Sequence, residues 1–251
     1  MVNLLFNYFN KNRRQSEQYV LDTQIESIKQ YPRAKIHLLP EPQEGTLPLT
    51  KVVQKRKSQR DFRQASLSED DLGHILYWSL CEKVGQQDTA KTFVRRPYPS
   101  GGAKFPVEVY VLCHDQQTFG NTVYHYRPDE HMLETVRQLN DTEIRSVKQS
   151  FSYPFVSEVP ALILFTYIRE RNVPKYGYFG EKLGLIEAGH MAQNMCLHAA
   201  EKNVSTVPLG GGDSDLIEGL LYADGYNESY FYAIALGKLP EIAYDNSDVV
   251  K

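Results

Sequence analysis

The sequence predicts an α+β fold, because hairpin-like segments mix with helices and no βαβ unit repeats along the chain. Three observations carry this. Val107 to Cys113 and Thr122 to Tyr126 are β-rich runs joined by a polar turn containing Gly120, the pattern of a hairpin. The continuous apolar run that follows Pro160, from Ala161 to Tyr167, reads as a central strand covered on both faces. Gly184 to Lys202 carries Leu185, Ala188, Met191, Ala192, Met195, Cys196 and Ala199 around most of a helical circumference, so a buried helix is expected there.

Taken in order, Gln15 to Gln30 reads helical and is followed by Tyr31-Pro32. Residues 38–48 are rich in Pro and Gly and lack periodicity, as a linker would. The expected division is a helical arm and linker over residues 1–50 and a main domain over 51–251. That domain opens with a helix ending near Lys57. A second helix follows Ser68, whose hydroxyl can cap it, while Glu69, Asp70 and Asp71 suit its positive end. Its apolar positions Leu72, Ile75, Leu76 and Leu80 keep helical spacing. After the central strand, Lys175-Tyr176 follows Pro174 in an expected loop. The small residues Ala188, Gly189, Ala192, Ala199 and Ala200 of the next helix permit close approach of another helix. Val204 to Val207 and Tyr230 to Leu236 read as further strands.

The chain has 251 residues, 41% hydrophobic and 24% charged, the profile of a soluble globular protein with room for a sizeable core. A net charge of -3 provides no global basic field for nucleic acid. No apolar run approaches the ~20 residues that span a bilayer. The first residues place their basic groups after an apolar patch, the reverse of a signal peptide, so a cytoplasmic location is expected. Cys81, Cys113 and Cys196 lie in apolar runs without CxxC spacing and are expected to be buried, reduced thiols.

Three segments offer chemistry. Arg56, Lys57, Ser58 and Arg60 stand where a helix breaks into extended chain, and guanidinium groups with a hydroxyl make a clamp for a phosphate monoester. The same spacing also suits a solvated basic face. The turn-rich loop Arg95 to Pro106, containing Pro99, Ser100, Gly101 and Gly102, runs directly into a strand, and its small residues let backbone approach a flat ligand. Leu209, Gly210, Gly211 and Gly212 lie between a strand and a helix. Asp213 and Asp215 at that helix start would repel an anion, so bare backbone against a neutral ring fits better than a phosphate cradle. Glu187-x-x-His190 has the spacing of half a di-iron site, but one copy is insufficient. A core histidine is expected, and no metal.

In order, R-K-S-Q-R-D-F, S-E-D-D-L, P-S-G-G-A-K-F-P-V-E-V-Y-V, V-Y-H-Y, K-Y-G, E-A-G-H-M-A-Q-N and A-L-G-K resemble the nitroreductase superfamily, and more narrowly its SagB-type branch, the azoline dehydrogenases. The likeness runs from about Tyr31 to Leu239. It implies a nitroreductase-like fold, a mixed and mainly antiparallel sheet flanked by helices in an intertwined homodimer, with FMN at the subunit interface. Under it Arg56, Ser58 and Arg60, with Lys57 beside them, match the hold on the FMN phosphate and ribityl chain, and Lys238 is a further phosphate contact. Pro99, Ser100, Gly101 and Gly102 match the loop reaching FMN from the partner subunit, and Leu209, Gly210 and Gly211 the loop beside the ring. Gln193, on the helix that packs across the dimer, is a further cofactor contact. Lys175 and Tyr176 match the pair with a catalytic role.

The activity implied is oxidation of a peptide thiazoline or oxazoline to the azole, with the substrate supplied by a cyclodehydratase complex or a nonribosomal peptide synthetase and oxygen as the final acceptor. Tyr176 is the candidate base and Lys175 the cation beside it, although the two roles could be exchanged. The rivals are a generalist NAD(P)H-dependent nitro or quinone reductase and an inactive scaffold subunit of a biosynthetic complex.

Overall fold

The computed structural model of the protein describes residues 28–62, 65–86, 92–115 and 118–238, so most of the helix expected over Gln15 to Gln30 lies outside the described residues. Seven strands form one sheet: β1 (Ile36–Leu38), β4 (Val107–Asp115), β5 (Gly120–Arg127), β6 (Met132–Gln138), β7 (Ala161–Ile168), β8 (Ser205–Leu209) and β9 (Glu228–Gly237). Their order is β1-β6-β5-β4-β7-β9-β8, and every neighbouring pair is antiparallel. A separate ribbon pairs β2 (Lys83–Gln86) with β3 (Thr92–Arg95). The expected hairpin is β4–β5, with Cys113 opposite Thr122. The apolar run after Pro160 is β7, held between β4 and β9 in the middle of the sheet.

Alternation along β4 divides the core. Val107, Val109, Val111 and Cys113 point to one face and pack with α2 (Glu69–Leu80) and α5 (Phe179–Glu201). Tyr110 and Leu112 point to the other, with Ile144 and Val147 of α3 (Asp141–Ser150) and Ile217, Leu220 and Leu221 of α6 (Ser214–Leu221). Both faces of the central strands are covered, which is why β7 is apolar without interruption. Ser68 caps α2 by accepting from the Asp71 amide at 3.1 Å, as its sequence signature predicts. All three cysteines are buried and unbridged.

Several boundaries differ from expectation. The helix before the phosphate segment, α1 (Leu49–Lys55), ends before Arg56 rather than at Lys57. α5 starts at Phe179, not Gly184, and the two glycines of its first turns pack closely against other elements. A Cβ on Gly184 would lie 2.5 Å from the Tyr167 ring, and one on Gly180 would lie 2.9 Å from Asn172. Strand β6 escaped the sequence reading because its Glu134 and Arg137 interrupt the apolar pattern. Glu134 is nevertheless 2% exposed, since it is paid for by polar partners.

Those partners belong to a buried network inside the sheet. His125, fully buried, lies between Glu108 Oε2 at 2.8 Å and Glu134 Oε2 at 3.0 Å. Arg171 of α4 (Arg169–Tyr176) pairs with Glu108 Oε1 at 2.6 Å. Glu228 accepts from Tyr110 Oη and Thr166 Oγ1, each at 2.7 Å, and pairs with the Lys29 ammonium. Burial works against the charged form of His125, but the two carboxylates outweigh it and raise its pKa. Its stabilisation is therefore complete below the ordinary imidazole range and is lost as pH rises through the raised value. We expect His125→Leu to cost about 3–5 kcal/mol at pH 6 in urea unfolding. The deficit should shrink toward alkaline pH, and a pH-independent deficit would contradict this account.

Candidate active site

The cationic segment lies along an edge of the sheet. Arg56 caps the C-terminal end of α1 in extended geometry (φ -58°, ψ 121°), so the chain leaves the helix there. Ser58 forms a parallel bridge with Thr206, and the Gln59 amide donates to the Thr206 carbonyl at 2.9 Å. The segment thus runs beside β8, at whose end stand Leu209, Gly210 and Gly211. Lys57, Ser58 and Arg60 are exposed and Arg56 is half-buried. Among the described residues none of these three cations has a carboxylate partner, which leaves them available to an anion. Lys238 differs: its ammonium lies 3.2 Å from Asp71 Oδ2, a counter-charge the sequence did not reveal.

A Cβ on Gly210 or Gly211 would meet nothing within 4 Å, so bare backbone there faces open space. Gly212 is different, with φ +116° and Phe151 and Ile217 crowding its α-carbon, so a side chain is excluded. Asp213 caps α6 by accepting from the Leu216 amide at 3.1 Å, and Asp215 follows in the first turn. The helix start is already served by acids, which agrees with the rejected anion cradle.

The second part of the site is the loop before β4. Ser100 Oγ accepts from the Phe105 amide at 2.9 Å. Gly102, Ala103 and Phe105 have φ of 66°, 51° and 46°. Two non-glycine residues in the left-handed region mark a shape held against local preference. Two arginines hold it. Arg96 lies over the Phe105 ring at 4.3 Å and donates to Tyr98 Oη at 3.1 Å, while Arg171 donates to the Phe105 carbonyl at 2.8 Å. Pro99 is exposed, and Gly101 packs so closely on Leu183 that a Cβ would lie 2.8 Å away.

Lys175 and Tyr176 meet this loop. A Cβ on Gly102 would lie 2.5 Å from Tyr176 Oη and 2.9 Å from Lys175 Nζ. The two residues form the last turn of α4 and not the expected loop. Pro174 suggested a break, since proline lacks the amide donor of a helix interior. In this eight-residue helix the break comes later, at Gly177, whose φ of 55° ends the turn. Lys175 Nζ stands 5.2 Å from the Tyr176 ring centroid.

α5 joins both parts. Leu183 and Glu187 face the loop, whereas Arg56 acts on Cys196 nine residues further on. At 1.5 Å per residue that is roughly 13 Å of helix. Among the described residues no hydrogen bond connects Arg56, Ser58 or Arg60 with Ser100, Gly102, Lys175 or Tyr176. The helix is also not buried all round: Leu185, Ile186, Gly189, His190 and Gln193 are exposed on one side. His190 is therefore not the core histidine that was expected. Its register places it on the uncovered side, while Glu187, three residues earlier, turns inward.

Glu187 is the functional candidate that sequence reasoning missed. It is 1% exposed, and among the described residues neither carboxylate oxygen has a hydrogen-bond partner. Burial raises its pKa to about 7, opposed by the Ser100 hydroxyl, which approaches without a well-formed bond, and by Arg96 and Arg171. The available signal was an acid at i-4 from Met191 on the apolar stripe.

Residues 53–238 match the model of the nitroreductase family, and the chain belongs to that family. A Methanocaldococcus jannaschii protein whose name assigns it to the nitroreductases is 30% identical over 167 residues, covering 64% of this chain and 78% of that protein. The microcin B17-processing protein McbC of Escherichia coli is 34% identical over 110 residues, 42% of this chain and 40% of McbC. The chain thus matches about two fifths of McbC's length. The structure of the E. coli microcin synthetase McbBCD complex with truncated pro-MccB17 bound shares the fold, with a TM-score of 0.60, 23% identity, and 82% of this chain and 79% of that one covered. The architecture is a nitroreductase-like fold, and no helix among the described residues is long and apolar enough to cross a membrane.

A carboxyl whose folded pKa lies above its unfolded value loses stability as pH rises from about 4.5 to about 7. Glu187→Gln should therefore stabilise the protein at pH 8 relative to pH 5, by on the order of 3 kcal/mol. Parallel urea titrations of both proteins at the two pH values measure this; an equal difference at both would refute the raised pKa.

Proposed function

We propose that this oxidoreductase is an FMN-dependent dehydrogenase that converts thiazoline or oxazoline rings of a peptide into thiazoles or oxazoles. The observation that carries the reading is the meeting of Lys175 and Tyr176 with Gly102 of the strained loop. Likeness to a microcin B17-processing protein supports it. The residues suit FMN: Arg56, Ser58 and Arg60, whose side chains have no hydrogen-bond or carboxylate partner among the described residues, offer donors to its phosphate, and the Gly210-Gly211 backbone, open to space, offers amides to a ring edge.

The ring loses a proton from its α-carbon and a hydride from the adjacent carbon, so two hydrogens leave and the ring becomes aromatic. FMN, when bound, supplies the hydride acceptor. Tyr176 takes the proton at its Oη, and Lys175 Nζ stabilises negative charge developing on the substrate carbonyl. Arg171 and Ser100 fix the loop against the pair, so substrate meets these groups in one preset geometry. With FMN bound, oxygen would serve as the final oxidant.

The working unit is a homodimer. The uncovered side of α5, with Leu185, Ile186 and Gly189, and the exposed Leu49 and Val53 of α1 support this. So do the roughly 13 Å of α5 between the turn that faces the loop and the turn near Arg56, a gap that a second subunit would bridge by bringing its own loop to the first subunit's cations. A cyclodehydratase or a nonribosomal synthetase delivers the substrate. The Methanocaldococcus jannaschii relative favours a second reading, a general NAD(P)H-dependent reductase.

A short thiazoline peptide incubated with the protein, FMN and air should lose two hydrogens by mass spectrometry. Lys175→Ala should retain FMN yet slow this loss by roughly 10²–10⁴-fold. Full turnover in that variant would end the catalytic assignment. Consumption of NADPH without change in the peptide would favour the general reductase. Separately, Arg56→Gln should weaken FMN binding by roughly 10–100-fold in a fluorescence titration, and unchanged affinity would remove Arg56 from the cofactor site.

A further inference from the structure

A side-chain cluster at the far end of α5 takes no part in the site above. His198 and Glu201, three residues apart on the last turn, share one helical face, and His74 reaches them from α2. His74 Nε2 lies 3.3 Å from Glu201 Oε2, and His198 Nδ1 lies 3.7 Å from that same oxygen. The ligating atoms of all three lie within 4.8 Å of one another. The two imidazoles meet edge-on, with centroids 5.8 Å apart.

Loop 40–47 closes over the carboxylate. The Leu47 amide donates to Glu201 Oε1 at 3.2 Å, and the Gly45 backbone passes so close that a Cβ there would lie 2.2 Å from that oxygen. Beside the cluster is a cavity of about 600 Å³, bounded by the loop, Asp70, His74, Glu201 and Lys238.

We propose that His74, His198 and Glu201 bind a zinc ion, with solvent from the cavity as the fourth ligand. Zinc takes imidazole nitrogens and carboxylate oxygens at about 2.0–2.2 Å in a tetrahedron, which sets ligand atoms roughly 3.4 Å apart. The two separations from Glu201 already stand near that value, and shifts of about 1 Å in side-chain position complete the set. A plain hydrogen bond accounts for His74 but not for His198, which at 3.7 Å is beyond hydrogen-bond reach of the shared oxygen. Two imidazoles favour zinc over magnesium or calcium, which prefer oxygen throughout.

The ion would act as a clasp. It ties α2 to α5, and through Glu201 it ties both to the loop that leads from β1 into α1. This inference is independent of the reaction proposed above, and its readout is metal binding and stability rather than turnover.

The test uses the whole protein, stripped with a chelator and titrated with zinc chloride alone by calorimetry. One zinc per chain should bind, raise Tm and, with cobalt(II) in its place, give the visible bands of a tetrahedral site. The chain has seven histidines, so adventitious binding needs its own control. His198→Ala, at a half-exposed position, should keep its far-UV circular dichroism and bind zinc at least about tenfold more weakly. Glu201→Gln should do the same without removing side-chain volume. Absence of zinc binding, or equal stoichiometry and affinity in wild type and both variants, would overturn the proposal.

Discussion

Glu108 is buried on β4 with the Arg171 guanidinium 2.6 Å away on one side and His125 2.8 Å away on the other. Burial alone would favour its neutral form, but Arg171 and His125 outweigh this and hold its pKa at about 2. A charged group in the interior is tolerated only when partnered, and removing one partner leaves the other exposed to the full desolvation cost. Arg171 is therefore pinned to the sheet. Because it also binds the Phe105 carbonyl, α4 and the loop before β4 are fixed against the same strand. The contact of Gly102 with Lys175 and Tyr176 descends from that one ion pair.

A second acid near the same loop has the opposite fate. Glu187 is as buried as Glu108, yet Arg96 and Arg171 reach it only as distant charges, and no donor completes a bond to it. Burial prevails, and its carboxyl titrates near neutrality. Two carboxyls on neighbouring elements are thus shifted in opposite directions by the partners they have. One serves as a fixed anchor, while the other can gain or lose a proton at physiological pH beneath the loop that bears Ser100.

α5 organises the rest. One stripe fills the core against α2 and the sheet, and its glycines admit Tyr167 and Asn172 at close range. The opposite side carries Leu185, Ile186 and Gly189 to the surface. Along its length the helix separates the strained loop from the cationic edge, and at its end His198 and Glu201 meet α2. Each of these functions uses a different face or turn of a single 23-residue helix.

Much of this was legible from residue order. Alternating and continuous apolar runs specified the β4–β5 hairpin and β7, Ser68 announced α2, and the acids after Gly212 marked the start of α6. These signals are local: a period, a cap, a turn residue. Segments whose character depends on distant partners were not legible. β6 hides because Glu134 is a strand residue only once His125 and Arg127 are present to receive it. The start of α5 ahead of Gly184 was not legible either, because the fit of Gly180 and Gly184 depends on Asn172 and Tyr167. The sequence by itself determined the family, the β4–β5 hairpin, β7, the course of α2 and most of α5, and several residues with chemistry to offer. Only the tertiary structure decided which of them meet, that Glu187 is buried without a partner, and that His74 stands beside His198, because these depend on contacts between groups far apart in the chain.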